Sequence, residues 1–288
     1  MKQKGMNIVM KVLVLTGVLL ATACSSMASD RPGYTLIKEF ILPPELAETS
    51  GLFCPDQNTI YTLNDSGNEP IVYKLNLVGE IENKIKLDIK NRDWESLTGD
   101  EQHFYIGDIG NNNGKRKFVE IHVVDKDTSA TKIKRSLQIS YADNSIEKNE
   151  YLNHDFDAEA LVSVDDDLML FSKSWQTNDL HIYKLSKTEL KQKIEPIVTV
   201  EGLPGIITGV DYNALTKEYV LVGYSLYGLG SFSPFIAKMD RRFNLLASYP
   251  LAGFNQVEGV CVSPNGEVWI SQESSFFSTQ KLAKLQLR

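Results

Sequence analysis

Cysteine and histidine are scarce in this 288-residue chain, with three of the first and four of the second. No CxxC pair or histidine cluster occurs, which excludes the common zinc and iron–sulfur arrangements. A GxSxG nucleophile elbow is also missing. Helical periodicity is nearly absent, and only residues 186–193, SKTELKQK, read as a turn or so of helix. Basic excess is absent too: the formal net charge is −7, so nucleic acid is not an expected partner.

Long apolar runs are missing except near the N-terminus, where MKQKGMNIVMK precedes VLVLTGVLLATA. A basic segment followed by a short apolar one has the form of a secretory signal peptide and is too short to span a bilayer comfortably. It ends in Leu20, Ala21, Thr22, Ala23 and Cys24, which resembles a bacterial lipobox, with Cys24 the lipidated residue. Ser25, in place of Asp, resembles the outer-membrane sorting choice. Residues 1–23 are therefore expected to be a lipoprotein signal peptide, 24–33 a tether and 34–288 the folded domain, lipid-anchored to the outer membrane and facing the periplasm. Without Lys2, Lys4 and Lys11, 27 basic residues stand against 37 acidic ones. Cys54 and Cys261 remain and read as two isolated core thiols, although an oxidising envelope permits a bridge.

What the chain does have is a repeat. ETSGLFCPDQNTIYTLNDSG recurs in outline as DWESLTGDEQHFYIGDIGNN, DFDAEALVSVDDDLMLFSKSW, ITGVDYNALTKEYVLVGYS and QVEGVCVSPNGEVWISQES. Each copy is an apolar strand, a turn rich in Asp, Asn or Gly, and a second apolar strand. The apolar anchors Leu52, Leu97, Leu161, Val210 and Val260 fall at spacings of 45, 64, 49 and 50. A third strand follows each hairpin and a fourth follows the first four copies. The fifth copy ends one strand short, and YTLIKEFIL at residues 34–42 supplies that strand. These features predict an all-β, five-bladed β-propeller closed by the N-terminal strand joining the last blade. Six blades are the alternative, because the longer second unit has room for another.

Two residues before each anchor stand Ser50, Glu95, Glu159, Thr208 and Glu258, and two further upstream stand Glu48, Asp93, Asp157, Ile206 and Gln256. On an innermost strand the alternation of faces would turn both sets towards the central channel. Carboxylates crowded there must protonate, take water or hold a cation, and hard oxygen ligands without nearby His or Cys select calcium. The ends of the second strands form a further ring, with Asn64 and Asp65, Gly107 and Asp108, Ser172 and Lys173, Gly223 and Tyr224, and Ser271 and Gln272 corresponding. DSGN and DIGNNN also read as plain turn chemistry. The weak catalytic candidates are His154, at a repeat entry, and Lys173. The run Lys115, Arg116, Lys117 reads as a solvated loop, and Trp94, Trp175, Tyr224 and Tyr227 are aromatics placed near the mouth.

ETSGL with IYTLNDSG, DWESL, DAEAL and VEGV resembles the SdiA-regulated family of envelope propellers. DWESL, YIGDIGNN and DAEALV also resemble bacterial proteins akin to the esterase-like domain of phytases. The resemblance implies a five-bladed propeller with calcium in the channel region, and by motif position it places the metal on Glu48, Glu95, Asp108, Glu159 and Glu258. Thr208 departs from the pattern. Two functions stay open: a calcium-binding envelope lipoprotein that binds a small molecule, glycan or envelope protein without turnover, and a calcium-dependent hydrolase of esters, lactones or phosphoesters.

Overall fold

The computed structural model describes residues 33–126, 133–227, 231–276 and 278–288. The expected signal peptide, Cys24 and the expected tether as far as residue 32 lie outside the described residues, as does the Tyr227 side chain. Among the described residues no helix is long and apolar enough to cross a membrane.

The strands form five sheets, antiparallel except for one added edge strand, each wound outward from an innermost strand. After β1 (Tyr34–Ile41), the first blade runs β2 (Thr49–Phe53), β3 (Ile60–Asn64), β4 (Ile71–Leu75) and β5 (Ile81–Lys86). The second runs β6 (Trp94–Gly99), β7 (His103–Asp108), β8 (Val119–Asp125) and β9 (Ile133–Tyr141). The third contains β10 (Ala158–Val164), β11 (Asp167–Ser172) and β12 (Leu180–Ser186). The chain then forms β13 (Lys191–Ile194) before returning to the third blade as β14 (Val198–Val200). The fourth is β15 (Ile206–Asn213), β16 (Glu218–Tyr227), β17 (Ser231–Met239) and β18 (Leu245–Pro250). The last is β19 (Val257–Val262), β20 (Val268–Gln272) and β21 (Lys281–Leu287), completed by β1 lying antiparallel to β21. The fold is a five-bladed β-propeller with a composite last blade.

The six-blade alternative fails because the extra residues of the second unit enter the long β9 and the loop beyond it. The expected helical turn at residues 186–193 is not there. Instead β13 crosses to the second blade and pairs in parallel with β9, from Lys191 opposite Gln138 to Ile194 opposite Tyr141. A helix of two turns without an apolar face has little to hold it, whereas the outer edge of β9 offers unpaired backbone groups.

Five apolar clusters hold the ring, one in each layer between neighbouring blades. The layer between first and last blades holds Leu52, Ile60, Tyr73, Trp269 and Leu282, and across it Cys54 and Cys261 form a disulfide. The two cysteines are thus paired, contrary to the expectation of free thiols. The bond joins the first blade to the last, where the ring closes.

The innermost strands contact one another in the order β2, β6, β10, β15, β19 and back to β2. The residue just before each anchor is Gly51, Ser96, Ala160, Gly209 or Gly259, and the reason for small side chains is close backbone approach. A Cβ on Gly209 would lie 2.6 Å from the Glu258 carbonyl oxygen, and one on Gly259 would strike the Ser50 carbonyl oxygen. Hydroxyls stitch the same seams: Ser50 Oγ donates to the Glu95 carbonyl at 2.8 Å and Thr208 Oγ1 to the Val257 carbonyl at 2.6 Å.

Candidate functional site

Each innermost strand skips residues in its pairing with the second strand. The skips fall between Trp94 and Ser96, Ala158 and Ala160, Ile207 and Gly209, Val257 and Gly259, and Thr49 and Leu52. Glu95, Glu159, Thr208 and Glu258 are the bulged residues. A bulge leaves its residue out of the ladder and re-aims the side chain. Here these four side chains line the axis of the ring, which narrows to a space of about 10 Å³, the room of roughly one water.

Above that constriction the channel opens into a cavity of about 190 Å³. Its walls include Glu95, Glu159 and Glu258 from the bulges, and Asp65, Lys173 and Glu273 from just beyond the ends of β3, β11 and β20. Trp175 and the loop residues Asn112, Tyr151 and Leu152 complete one side. Lys173 Nζ donates to Glu159 Oε1 at 2.7 Å, with the Lys173 and Glu159 side chains 8% and 2% exposed. It also lies 5.0 Å from the Trp175 ring and 5.8 Å from the Tyr224 ring. Burial alone would depress this ammonium, but Glu159, Tyr224, Glu258 and Glu95 outweigh burial and hold its pKa well above the ordinary value.

A single ammonium cannot neutralise the remaining acids. Burial, with Glu159 and Asp65 nearby, pushes Glu95 well above the usual carboxylate range. Burial likewise raises Glu258 and, with Glu258 and Asp65, Glu273. Among the described residues Glu258 Oε2 is buried without a hydrogen-bond partner. Gln256 Nε2 donates to Glu273 Oε2 at 2.6 Å.

Asp65, Asp93 and Glu95 converge on one side, with one oxygen from each within 4.8 Å of the others. The turn after β7 closes over them: a Cβ on Gly110 would collide with the carboxylates of Asp93 and Glu95. Gly110 N donates to the Asp93 carbonyl at 3.2 Å. Asn91 braces the other side, donating to the Asp65 carbonyl at 2.9 Å and accepting from Trp94 N at 3.1 Å. Burial raises Asp93 to about 6, helped by Asp65 and Asp157, and burial also raises Asp65. The nearby cations are committed elsewhere, Lys173 to Glu159 and Arg116 to Asp108.

The expected ligand positions do not all meet. Glu48 is exposed and accepts from Asn68 Nδ2 at 2.5 Å. Asp108 is 1% exposed and faces Arg116 Nη2 at 2.7 Å, with His122 Nε2 at 3.7 Å. Burial raises Asp108, but His122 and Arg116 outweigh it and hold the carboxyl below its ordinary value. Arg116 is therefore a structural partner and not part of a solvated run. Asp157 accepts from Asn111 N at 2.5 Å and Trp175 Nε1 at 2.8 Å, so it ties the third blade to the loop after β7. The bulge between Ala158 and Ala160 breaks the alternation that would have aligned it with Glu159.

His154 is buried beneath the same loop. Its Nδ1 accepts from Phe156 N at 3.1 Å, leaving Nε2 to donate to the Asn112 carbonyl at 3.2 Å. Trp94 is wholly buried in the layer between first and second blades. Asp65 and Glu273 lay outside the expected ligand set. Asp65 carried a signal, its place beside Lys173 in the second-strand register, but its DSGN context reads as a turn; Glu273 carried none.

No family model matches the chain, and no curated relative matches it. Similar solved structures include the WD40 β-propeller domain of Doa1, with a TM-score of 0.49 and 11% identity over 90% of this chain and 98% of that one. Streptogramin B lyase gives 0.46 and 11% over 88% and 98%. A chain of a mitotic checkpoint complex gives 0.41 and 12% over 91% and 82%. At such identities these similarities concern architecture alone and carry no inference about function.

Proposed function

We propose that the protein is a calcium-binding propeller of the SdiA-regulated type, tethered in the bacterial envelope through Cys24, that binds a ligand at the channel mouth without turning it over. The observation that carries this reading is the convergence of Asp65, Asp93 and Glu95 around Gly110 with no ion-pair partner among the described residues. Three hard oxygen donors and no sulfur or imidazole match calcium better than a transition metal. A calcium ion there would offset two of the three carboxylate charges and leave coordination positions open to a ligand's oxygens. Glu95 reaches both this cluster and the larger cavity, so cation and ligand would share a wall. The Cys54–Cys261 bond suits an oxidising compartment and supports the envelope assignment. Binding is favoured over hydrolysis because both ring nitrogens of His154 are occupied and Lys173 is held by Glu159.

The test is thermal unfolding in EDTA and then in about 1 mM calcium. For a dissociation constant on the order of 10 μM, linkage gives about 2.7 kcal/mol, or a rise of roughly 5–10 °C in a domain of this size. Asp93→Asn should abolish that rise while leaving the EDTA-treated protein as stable as the parent or more so, because it removes a carboxyl that its neighbours already push up. No calcium-dependent shift in the parent sinks the reading. Calcium-dependent cleavage across an ester, lactone and phosphoester panel would replace binding by the hydrolase.

A further inference from the structure

A second cavity, about 270 Å³, lies between the second and third blades, away from the channel. Its floor is aromatic. Tyr141 ends β9 and Tyr183 lies on β12, their ring centroids 5.3 Å apart, and Phe156 stands 5.8 Å from Tyr141. Ile194 and Pro196, brought here because β13 crosses to the second blade, close one side. Tyr141 is 7% exposed, and its hydroxyl has no hydrogen-bond partner among the described residues.

The rim is acidic. Asp143 is exposed and forms no ion pair among the described residues, while Asp155 Oδ1 accepts from Gln176 N at 3.0 Å and Thr177 N at 3.1 Å. Among the described residues no lysine or arginine lines the cavity, and His181 at its edge has Nδ1 occupied by Thr199 Oγ1 at 3.0 Å. The acidic field reaches the floor, since burial and then Asp155 and Asp143 raise the Tyr183 phenol.

Aromatic faces beneath unneutralised carboxylates attract cations and repel anions; a neutral guest gains only the apolar contacts. The volume is near the lower end for small-molecule sites. We propose that this cavity binds a small organic cation, with an alkylated ammonium group over the Tyr141 and Tyr183 rings and under Asp143 and Asp155. The site shares no residue with the channel mouth and requires no calcium.

Titration calorimetry of the purified protein in EDTA tests this, with choline as the probe and 3,3-dimethyl-1-butanol as its neutral isostere. Choline should bind with a dissociation constant on the order of 1 mM or tighter, and the isostere at least about tenfold more weakly. Asp143→Asn, at an exposed position, should weaken choline several-fold with an unchanged melting temperature. Tyr183→Leu should remove binding and Tyr183→Phe should keep it. The proposal is overturned if choline fails to bind, if the isostere binds as well, or if Asp143→Asn leaves the affinity unchanged.

Discussion

Replacing Lys173 by methionine should destabilise the propeller far more than replacing its partner Glu159 by glutamine. The two side chains meet at 2.7 Å with almost no solvent contact, where the gross attraction is about 6 kcal/mol at an effective dielectric of 20. Desolvation offsets most of that in the intact pair, so the informative quantity is what each deletion leaves behind. Lys173→Met leaves Glu159 facing Glu95, Glu258 and Glu273 without a cation, and a loss of about 3 kcal/mol is expected, or roughly 6–12 °C in melting temperature. Glu159→Gln removes one of several like charges and leaves Lys173 among other carboxylates, so about 1 kcal/mol or less should be lost. The sign with pH follows. The folded Lys173→Met protein holds its carboxyl protons to higher pH than the parent, whose ammonium favours the ionised form, so its deficit should grow as pH rises through the range where the parent's carboxyls ionise and shrink towards pH 5 and below. Melting curves in EDTA at pH 5 and 7.5 decide it. Equal losses for the two variants, or a Lys173→Met deficit independent of pH, would refute the idea that this ammonium is what tolerates the acidic mouth.

Reduction of the Cys54–Cys261 bond, which spans 207 residues, should lower stability in urea by about 3–5 kcal/mol, since releasing so long a loop enlarges the unfolded ensemble. An unchanged unfolding midpoint with and without reductant would show that the bond does not constrain the chain. Asp211 is pushed up to about 7 by burial, against hydrogen bonds from Val262 N at 2.7 Å and Tyr212 N at 2.8 Å. The folded state therefore keeps a proton that the unfolded chain releases near pH 4, and stability should fall between about pH 4 and 7, by on the order of 4 kcal/mol from this group. Asp211→Asn should flatten that part of the pH–stability curve; an unaltered slope would assign the dependence to other groups.

The architecture was legible because the repeat is a packing requirement. The anchor and the small residue before it recur wherever one inner strand presses on the next, as Gly209 does on Glu258 and Gly259 on Ser50. The convergence of Glu95, Glu159 and Glu258 was legible for the same reason, since each occupies the bulge in its own strand. The alternation rule failed one step away, because the bulge that aims Glu159 inward turns Asp157 towards Asn111 and Trp175. Asp108 was misplaced because its partner Arg116 arrives through a loop whose path has no periodicity. The disulfide had a signal in register. Cys54 lies two residues past its anchor and Cys261 one past its own, on opposite strand faces. Neighbouring blades stack face to back, so opposite faces of adjacent blades share one apolar layer, and both cysteines lie in it.

One register position thus serves two purposes, and chemistry sorts them. At the bulge of the first and fourth blades stand hydroxyls, Ser50 and Thr208, each short enough to reach the carbonyl of the next blade and each doing so. At the other three stand glutamates, too long to turn back on the neighbouring backbone, which extend instead into the cavity above the constriction. The carboxylates are therefore not spread evenly round the axis. Glu95 and Glu159 sit on adjacent blades, and Lys173 of the third blade pairs with Glu159, leaving Asp65, Asp93 and Glu95, on the side of the first and second blades, without an ion-pair partner among the described residues. A ring built only to close would place hydroxyls at all five positions. The three glutamates raise the cost of folding without adding a seam, and that cost is understandable if a cation and its ligand are what the mouth is built to receive.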